Sequence, residues 1–145
     1  MNVLADTNVI LDIIMKREPY FAASYEILNL AAQDKICVLI TASSVTDIYN
    51  LLRRSGKDDA SSRNALYQLF SIIRIADVRA EDIHRALQSP VADFEDAVAI
   101  EVARRNACEM IITRNIKDFS GSVIPAIIPQ EFDPSTPGGG LPDIS

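Results

Sequence analysis

Acidic and amide side chains recur along the chain just after predicted strands or near the starts of predicted helices. They are Asp6, Asp47, Asp96, Asn115 and Asp118. Asp6 follows the apolar run 3–5, and the last two residues follow the segment 109–113, whose centre is apolar. If these runs are parallel strands, their carboxyl ends lie at one edge of a sheet, where α/β proteins bind ligands. We therefore expect the carboxylates to converge at that edge.

Carboxylates held close together repel one another, and a divalent cation relieves that repulsion. Clusters of oxygen ligands suit Mg²⁺ or Mn²⁺, and we predict that Asp6, Asp47 and Asp96 bind such an ion. One bound ion, or two ions about 4 Å apart, can activate water and stabilise an in-line displacement at phosphorus. The single histidine and the two cysteines have a spacing that suits no zinc site. The predicted chemistry therefore depends on oxygen ligands.

Each of these acids also has a purely structural interpretation. Asp6 and Asp93 are good helix N-caps, and an acid such as Asp47 in a first helical turn interacts favourably with the helix dipole. Asp12 and Arg17 are placed to form an ion pair between a helix and a loop. The order of the acids along the chain favours a common site over a set of unrelated structural roles.

The hydrophobic pattern places these residues on alternating strands and helices. Short apolar runs predict strands, and apolar residues at helical spacing predict the helices between them. The predicted strands cover residues 3–5, 36–41, 73–78, 109–113 and 123–128. This alternation indicates a parallel sheet covered by helices on both faces. Ser43 or Ser44 is expected to cap the helix that carries Asp47.

The length and composition indicate one globular domain. The chain of 145 residues is long enough for a sizeable core, which we assign to residues 1–133, and the Pro- and Gly-rich segment 134–145 is predicted to be disordered. We expect no membrane span or signal peptide. Cys37 and Cys108 are expected to be reduced and buried, which favours a cytoplasmic protein. The net charge of -6 argues against broad adhesion to nucleic acid or membranes and suits a basic protein partner.

The order of these motifs resembles that of PIN domains, and most closely that of the small VapC-like toxins. The matching stretches are Asp6-Thr7-Asn8, the acid Asp47, Asp93-Phe94-Glu95-Asp96-Ala97 and Ile112-Thr113-Arg114-Asn115-Ile116-Lys117-Asp118-Phe119. The resemblance covers about residues 1–133 and implies a three-layer α/β/α sandwich with a five-stranded parallel sheet of order 3-2-1-4-5. It also implies Mg²⁺- or Mn²⁺-dependent cleavage of RNA at the carboxyl ends of strands 1 and 4.

Two positions depart from the family pattern. The second family acid is usually Glu but is Asp47 here, and the fourth is usually Asp but is Asn115 here. Asp118 lies one helical turn further on and is expected to supply the missing charge. The catalytic set that the resemblance implies is therefore Asp6, Asp47, Asp96 and Asp118. The supporting residues are Thr7, Asn8, Asp93, Thr113 and Asn115.

The resemblance implies an endoribonuclease that acts on RNA as the toxin of a type II toxin–antitoxin pair. An acidic protein still needs local cations to hold RNA phosphates, and the candidates are Arg17, Arg53, Arg54, Arg114 and Lys117. A cognate antitoxin is the expected partner, and the apolar helices near residues 20–33 and 44–54 predict a homodimer. The alternative is a non-catalytic PIN-like or receiver-like binding module, although the region around Asp77 lacks the phospho-accepting pattern of receiver domains.

Overall fold

Short parallel strands form one sheet, and the strand nearest the N-terminus lies at its centre. The computed structural model describes residues 1–135. The strands are β1 (Asn2–Ala5), β2 (Cys37–Thr41), β3 (Arg74–Ala76), β4 (Cys108–Ile112) and β5 (Ala126–Ile127). Their order in the sheet is β3-β2-β1-β4-β5, which confirms the predicted topology. The order reverses between β1 and β4, so the carboxyl ends of these two strands form the switch point where ligands bind.

The connections between the strands are helical. Within the described residues the α-helices are α1 (Thr7–Ile14), α2 (Phe21–Ala32), α3 (Ala42–Arg54), α4 (Asp59–Leu69), α5 (Ala80–Ala86) and α6 (Phe94–Arg105). Short 3₁₀ helices follow the last two strands, at Ile116–Phe119 and Pro129–Glu131. Each parallel pair of strands therefore has the crossover connection that parallel pairing requires.

Alternate residues of the strands point to opposite faces of the sheet, and helices cover both faces. On one face, Val3, Val38 and Ile112 belong to a core that includes residues of α1, α2, α3 and α4. On the other face, Leu4 and Ile111 pack with residues of α5 and α6. Strands buried on both sides appear in the sequence as continuous apolar runs. The structure is the three-layer α/β/α sandwich that the sequence predicts.

Helix α3 begins earlier than the sequence predicts. Its N-cap is Thr41 instead of Ser43 or Ser44, because the Thr41 hydroxyl accepts a hydrogen bond from the Ser44 N–H at 3.3 Å. Strand β2 therefore passes directly into the helix. Asp47 lies in the second turn of α3 and not in the first, where its interaction with the helix dipole would be stronger.

The two edge strands are shorter than predicted. Strand β3 has 3 residues, and β5 has 2 residues where the apolar pattern covers 123–128. The Ser122 hydroxyl accepts a hydrogen bond from the Ile124 N–H at 3.0 Å and donates one to the Ile124 carbonyl at 2.7 Å. A local turn thus satisfies the backbone of Ile124 in place of a strand partner.

Three further predictions concern the cysteines, the membrane and the tail. Both cysteines are free thiols; Cys108 is buried, whereas Cys37 is half-buried and so more exposed than predicted. No helix within residues 1–135 is long and apolar enough to cross a membrane. Of the segment 134–145 that is predicted to be disordered, residues 136–145 lie outside the described part of the chain.

Candidate functional site

Asp6 ends β1 and lies at the switch point of the sheet. Its N–H donates to the Ile112 carbonyl at 2.9 Å, which joins the ends of β1 and β4. Its carboxylate accepts hydrogen bonds from the Thr7 N–H at 2.8 Å, the Asn8 side-chain amide at 3.3 Å and the Thr113 hydroxyl at 2.8 Å. Burial raises the pKa of Asp6 above 3.8, although the bond from Thr113 opposes that rise. Asp6 is therefore both the N-cap of α1 and a firmly oriented acid.

The segment after β4 is bonded to the same corner. Thr113 is fully buried, and its hydroxyl accepts the Asn115 N–H at 3.0 Å while it donates to Asp6. The Arg114 N–H donates to the Asn8 side-chain oxygen at 3.4 Å. Thr113 and Asn8 thus hold the two loops of the switch point together. Their predicted supporting role in function remains a prediction.

Asp96 lies in the first turn of α6, whose N-cap is Asp93. The Asp93 carboxylate accepts the Asp96 N–H at 3.0 Å. Burial, followed by the negative charges of Asp6, Asp93, Asp118 and Glu95, raises the pKa of Asp96 from 3.8 to about 7. A nearby cation would favour the charged form of a carboxyl in such surroundings.

The acid that caps α1 and acids of α3 and α6 meet at one cavity of about 410 Å³. Its acidic residues are Asp6, Asp47, Glu95 and Asp96. The remaining lining residues are Thr7, Thr41, Ser43, Ser44, Asn50, Leu51, Arg54 and Ala99. Asp118 and Asn115 lie on the 3₁₀ segment beside it, and the charge of Asp118 is close enough to raise the pKa values of Asp6 and Asp96. The structure therefore brings Asp6, Asp47 and Asp96 together, as the sequence predicts.

Glu95 is an acid of this cavity to which the sequence analysis assigns no role. Its interaction with the side chain of Asp47, followed by burial and the charges of neighbouring acids, raises the pKa of Glu95 above 4.5. Because the partners lie on α3 and α6, no local pattern indicates the contact. The sequence does offer one sign that Glu95 belongs to the site, which is its position beside Asp96 in the first turn of α6.

Of the predicted RNA-binding cations, Arg54 is the one among the described residues that lines the acidic cavity. Arg53, its neighbour in sequence, donates to the Tyr49 hydroxyl at 3.1 Å and lies 3.9 Å from the Asp59 carboxylate. The two arginines therefore face different surroundings, although they stand next to each other at the end of α3.

The other candidate cations have different environments. Arg114 and Arg17 both pair with Asp12, at 2.7 Å and 4.0 Å, and the carboxylate of Asp12 is fully buried. Lys117 lies in the 3₁₀ helix Ile116–Phe119. The ion pair between Asp12 and Arg17 agrees with the structural interpretation of these residues. RNA binding by Arg17, Arg114 and Lys117 remains a prediction.

The end of β3 has no acid available at the cavity. Asp77 pairs instead with Arg79 at 3.1 Å and with Arg105 at 3.2 Å. A receiver-like function would require a phospho-accepting aspartate near this position. The paired state of Asp77, away from the acidic cavity, therefore disfavours the receiver-like alternative.

The donor groups of the cavity fit a hard divalent cation. Within residues 1–135, no group of three or more His, Cys, Asp or Glu side chains is arranged to hold a metal ion. Mg²⁺ does not require such a group, because proteins usually hold it through one or two carboxylates and leave waters on the ion. The charge of Asp6 raises the pKa of Asp96, and the charge of Asp118 raises the pKa of both, as carboxylates that share a cation site would. Carboxylate and hydroxyl oxygens are ligands suited to Mg²⁺ or Mn²⁺.

This fold and this arrangement of acids define a known class of domain. A family model described as PIN domain matches residues 2–117, and the chain belongs to the PIN domain family. The sequence is also similar to that of ribonuclease VapC1 from Aquifex aeolicus (strain VF5). The two are 24% identical over 135 residues, which cover 90% of this chain and 92% of that protein.

Solved structures share the fold. One is VapBC2 from Rickettsia felis bound to a DNA fragment from its promoter, with a TM-score of 0.70, 17% identity, and coverage of 88% of this chain and 98% of that chain. Another is a toxin–antitoxin complex from Klebsiella pneumoniae, with a TM-score of 0.68, 20% identity, and coverage of 90% and 99%. At these identities the comparison shows a common fold over nearly the full length of each chain.

Proposed function

We propose that this protein is a metal-dependent endoribonuclease that cleaves the phosphodiester bonds of RNA. The observation that carries the proposal is the cavity in which Asp6, Asp47, Glu95 and Asp96 share one space. The repulsion among these acids is unfavourable for the folded protein by itself, and it is relieved where a divalent cation binds. Membership of the PIN domain family and similarity to a ribonuclease support RNA as the substrate.

Asp6 and Asp96 would hold Mg²⁺ or Mn²⁺ together with its waters. Asp47, the third predicted ligand, and Asp118 would add negative charge beside them. When bound, the ion supplies an activated water and neutralises charge that develops at phosphorus. The protein orients the half-buried Asp6 through the hydroxyl of Thr113, which is fully buried. Because the pKa of Asp96 is about 7, its proton is readily released near neutral pH when a cation approaches.

Arg54 would hold a phosphate of the RNA next to the acids. It lines the cavity at the carboxyl end of α3, together with Ser43, Asp47 and Asn50. These residues recur at helical spacing, so one side of α3 presents a polar stripe to the cavity. No ion pair joins Arg54 to another of the described residues, and its charge is therefore available for a phosphate.

The same proposal includes protein partners. The similar chains from Rickettsia felis and Klebsiella pneumoniae belong to toxin–antitoxin complexes, which supports a toxin role with a cognate antitoxin for this protein. An antitoxin segment carrying Arg or Lys would complement the acidic cavity and compete with the cation for it. We also propose a homodimer that acts in the cytoplasm.

The test is cleavage of mixed cellular RNA in the presence of Mn²⁺. Asp6→Ala and Asp96→Ala should abolish cleavage, because each removes a charge that holds the ion. Asp118→Ala should weaken cleavage substantially, whereas Asn115→Asp should preserve or increase it by restoring a carboxylate at the usual family position. Activity that persists in Asp6→Ala purified in parallel with the wild type would contradict the assignment of the site to this cavity.

A matched control removes the charge of an acid that lies away from the cavity. Asp34 is an exposed acid in the turn after α2, and Asp34→Asn should cleave RNA at the wild-type rate. EDTA should stop cleavage by every active variant. A wild-type protein that remains inactive with Mg²⁺ and Mn²⁺, free of any antitoxin, would contradict the enzyme and favour a PIN-like binding module.

A further inference from the structure

We infer that Asp12 is a positioning residue that acts through Arg114 to fix the segment after β4 and, through that segment, the orientation of Asp6. The effect on cleavage rests on the proposed function. The effect on the segment itself does not, and the two are measured separately below.

The contact between Asp12 and Arg114 is largely buried. The Asp12 carboxylate is 0% exposed, and the Arg114 side chain is 24% exposed. Arg114 Nε lies 2.7 Å from Asp12 Oδ2, and Arg114 Nη2 donates to Asp12 Oδ1 at 3.3 Å. Arg114 Nε and Asp12 Oδ2 make no hydrogen bond at this distance, so the contact is a close ion pair with a single hydrogen bond, from Nη2. A buried carboxylate of this kind needs its cation in place.

The guanidinium group of Arg114 is held from a second side by an aromatic ring. Its Cζ lies 4.1 Å from the centroid of the Tyr20 ring, a distance at which a cation and an aromatic face attract each other. Tyr20 stands immediately before α2, and Asp12 belongs to α1. Arg114 therefore connects the segment after β4 to two helices on the same face of the sheet.

The backbone of Arg114 is held as well. Its N–H donates to the side chain of Asn8, which lies four residues before Asp12 and so on the same side of α1. The residues on either side of Arg114 make the bonds that matter for the site. Thr113 donates to Asp6 at 2.8 Å, and the Asn115 N–H donates to Thr113 at 3.0 Å.

The side chain and the backbone of Arg114 are therefore both fixed by α1. If the Asp12 carboxylate loses its charge, the guanidinium loses its principal partner and the segment loses one of its two attachments to α1. The Asn8 contact, at 3.4 Å, is long and cannot replace it. The Thr113 hydroxyl would then lose its fixed direction toward Asp6.

Two other roles make different predictions. In the first, the ion pair contributes to stability alone, and function follows the folded fraction of the protein. In the second, Arg114 binds an RNA phosphate, and its loss weakens substrate binding. The positioning role predicts instead a lower kcat with little change in KM, together with a local change in the segment after β4 in the absence of RNA.

The experiment compares Asp12→Asn, the double variant Asp12→Asn/Arg114→Gln, and the control Arg63→Gln, which removes an exposed ion pair with Asp59 on α4. Asp12→Asn leaves an unpaired arginine and should lower stability, whereas the double variant removes both charges and should recover much of that loss. Thermal unfolding gives the stability of each protein. Amide exchange followed by NMR compares the Asn115 N–H, which is bonded to Thr113, with the Ile111 N–H in β4.

We expect exchange at Asn115 to accelerate about tenfold or more relative to Ile111 in both Asp12 variants, as the local bond opens without global unfolding. We expect kcat for RNA cleavage to fall about 100-fold in both, as for a small displacement of an active-site group, with KM unchanged. Arg63→Gln, which removes an ion pair of similar chemistry at the surface, should change neither measurement.

Recovery of kcat together with stability in the double variant would overturn the positioning role in favour of a purely structural one. A higher KM with unchanged kcat would overturn it in favour of phosphate binding by Arg114. Unchanged exchange at Asn115 would also overturn it. If the wild type cleaves no RNA, the proposed function fails, and exchange at Asn115 still decides whether Asp12 fixes the segment.

Discussion

Replacing Asp96 with asparagine should stabilise the metal-free protein while it abolishes RNA cleavage. Burial and the charges of Asp6, Asp93 and Asp118 raise the pKa of Asp96 from 3.8 to about 7. The unfolded chain has no such surroundings, so ionisation of this carboxyl near neutral pH favours unfolding. Asparagine has nearly the same shape and carries no charge, and Asp96→Asn therefore removes the penalty.

The size of the gain follows from the pKa. A change from 3.8 to about 7 corresponds to about 4 kcal/mol in a fully buried group. Asp96 is partly exposed, and water screens much of the repulsion, so we expect Asp96→Asn to gain about 1 to 2 kcal/mol at a pH of about 8. In a domain of this length, that gain raises Tm by roughly 3 to 8 °C.

The gain should disappear in acid. The pKa of Asp96 is higher in the folded state, so the stability of the wild type is fully present below 3.8, falls as the pH rises, and reaches its lower level above about 7. Thermal unfolding in EDTA at pH values of about 4 and about 8 measures this window. Asp34→Asn is the control and should show no such dependence. A Tm for Asp96→Asn at or below that of the wild type in EDTA at the higher pH would refute the reasoning.

Three other outcomes test separate parts of the molecule. Arg54→Gln should raise KM for RNA about tenfold through loss of a charged contact, whereas Arg53→Gln should leave KM unchanged. Steady-state cleavage kinetics measure both values, and equal effects of the two variants would reject Arg54 as the phosphate ligand. Asp82 is 2% exposed and lies 2.8 Å from Arg105. The Asp82→Asn variant should therefore be about 3 kcal/mol less stable than the wild type in urea unfolding, with no change in RNA cleavage by the folded protein. Light scattering should give a dimer mass, and a monomer mass at all concentrations would reject the homodimer.

The parts of the fold that the sequence predicts best are those with strong local signals. The run 3–5 is continuously apolar because β1 is buried on both faces, and three small polar residues end it at Asp6. That local pattern is enough to place an acid at the end of a central strand. The order of the sheet came from the family resemblance, since the hydrophobic pattern alone predicts a parallel sheet without ordering its strands.

The parts that the sequence predicts less well depend on competition between local and distant partners. The apolar run 123–128 favours a longer edge strand, but the Ser122 hydroxyl satisfies the backbone of Ile124 before the strand begins. Ser43 and Ser44 are reasonable caps, yet Thr41 takes that role because β2 continues directly into α3. In both cases a neighbouring hydroxyl decides the boundary.

The sequence predicts the convergence of the acids at the site but not the contacts between the helices that carry them. Convergence of Asp6, Asp47 and Asp96 follows from parallel strands, because their carboxyl ends share an edge. The interaction of Asp47 with Glu95 links α3 to α6, and the pairing of Asp12 with Arg114 links α1 to the segment after β4. Such contacts depend on how the helices pack over the sheet, which no local spacing specifies.

The most direct test of the central claim is the dependence of RNA cleavage on Mn²⁺ concentration. Wild type and Asp6→Asn, purified in parallel and stripped with EDTA, would be titrated with Mn²⁺ against one labelled RNA. We predict no cleavage by the stripped wild type, a rate that rises and saturates with Mn²⁺, and no cleavage by Asp6→Asn at any concentration. Cleavage by the wild type without divalent metal, or the same curve for Asp6→Asn, would contradict the assignment of the acidic cavity as a metal-dependent ribonuclease site.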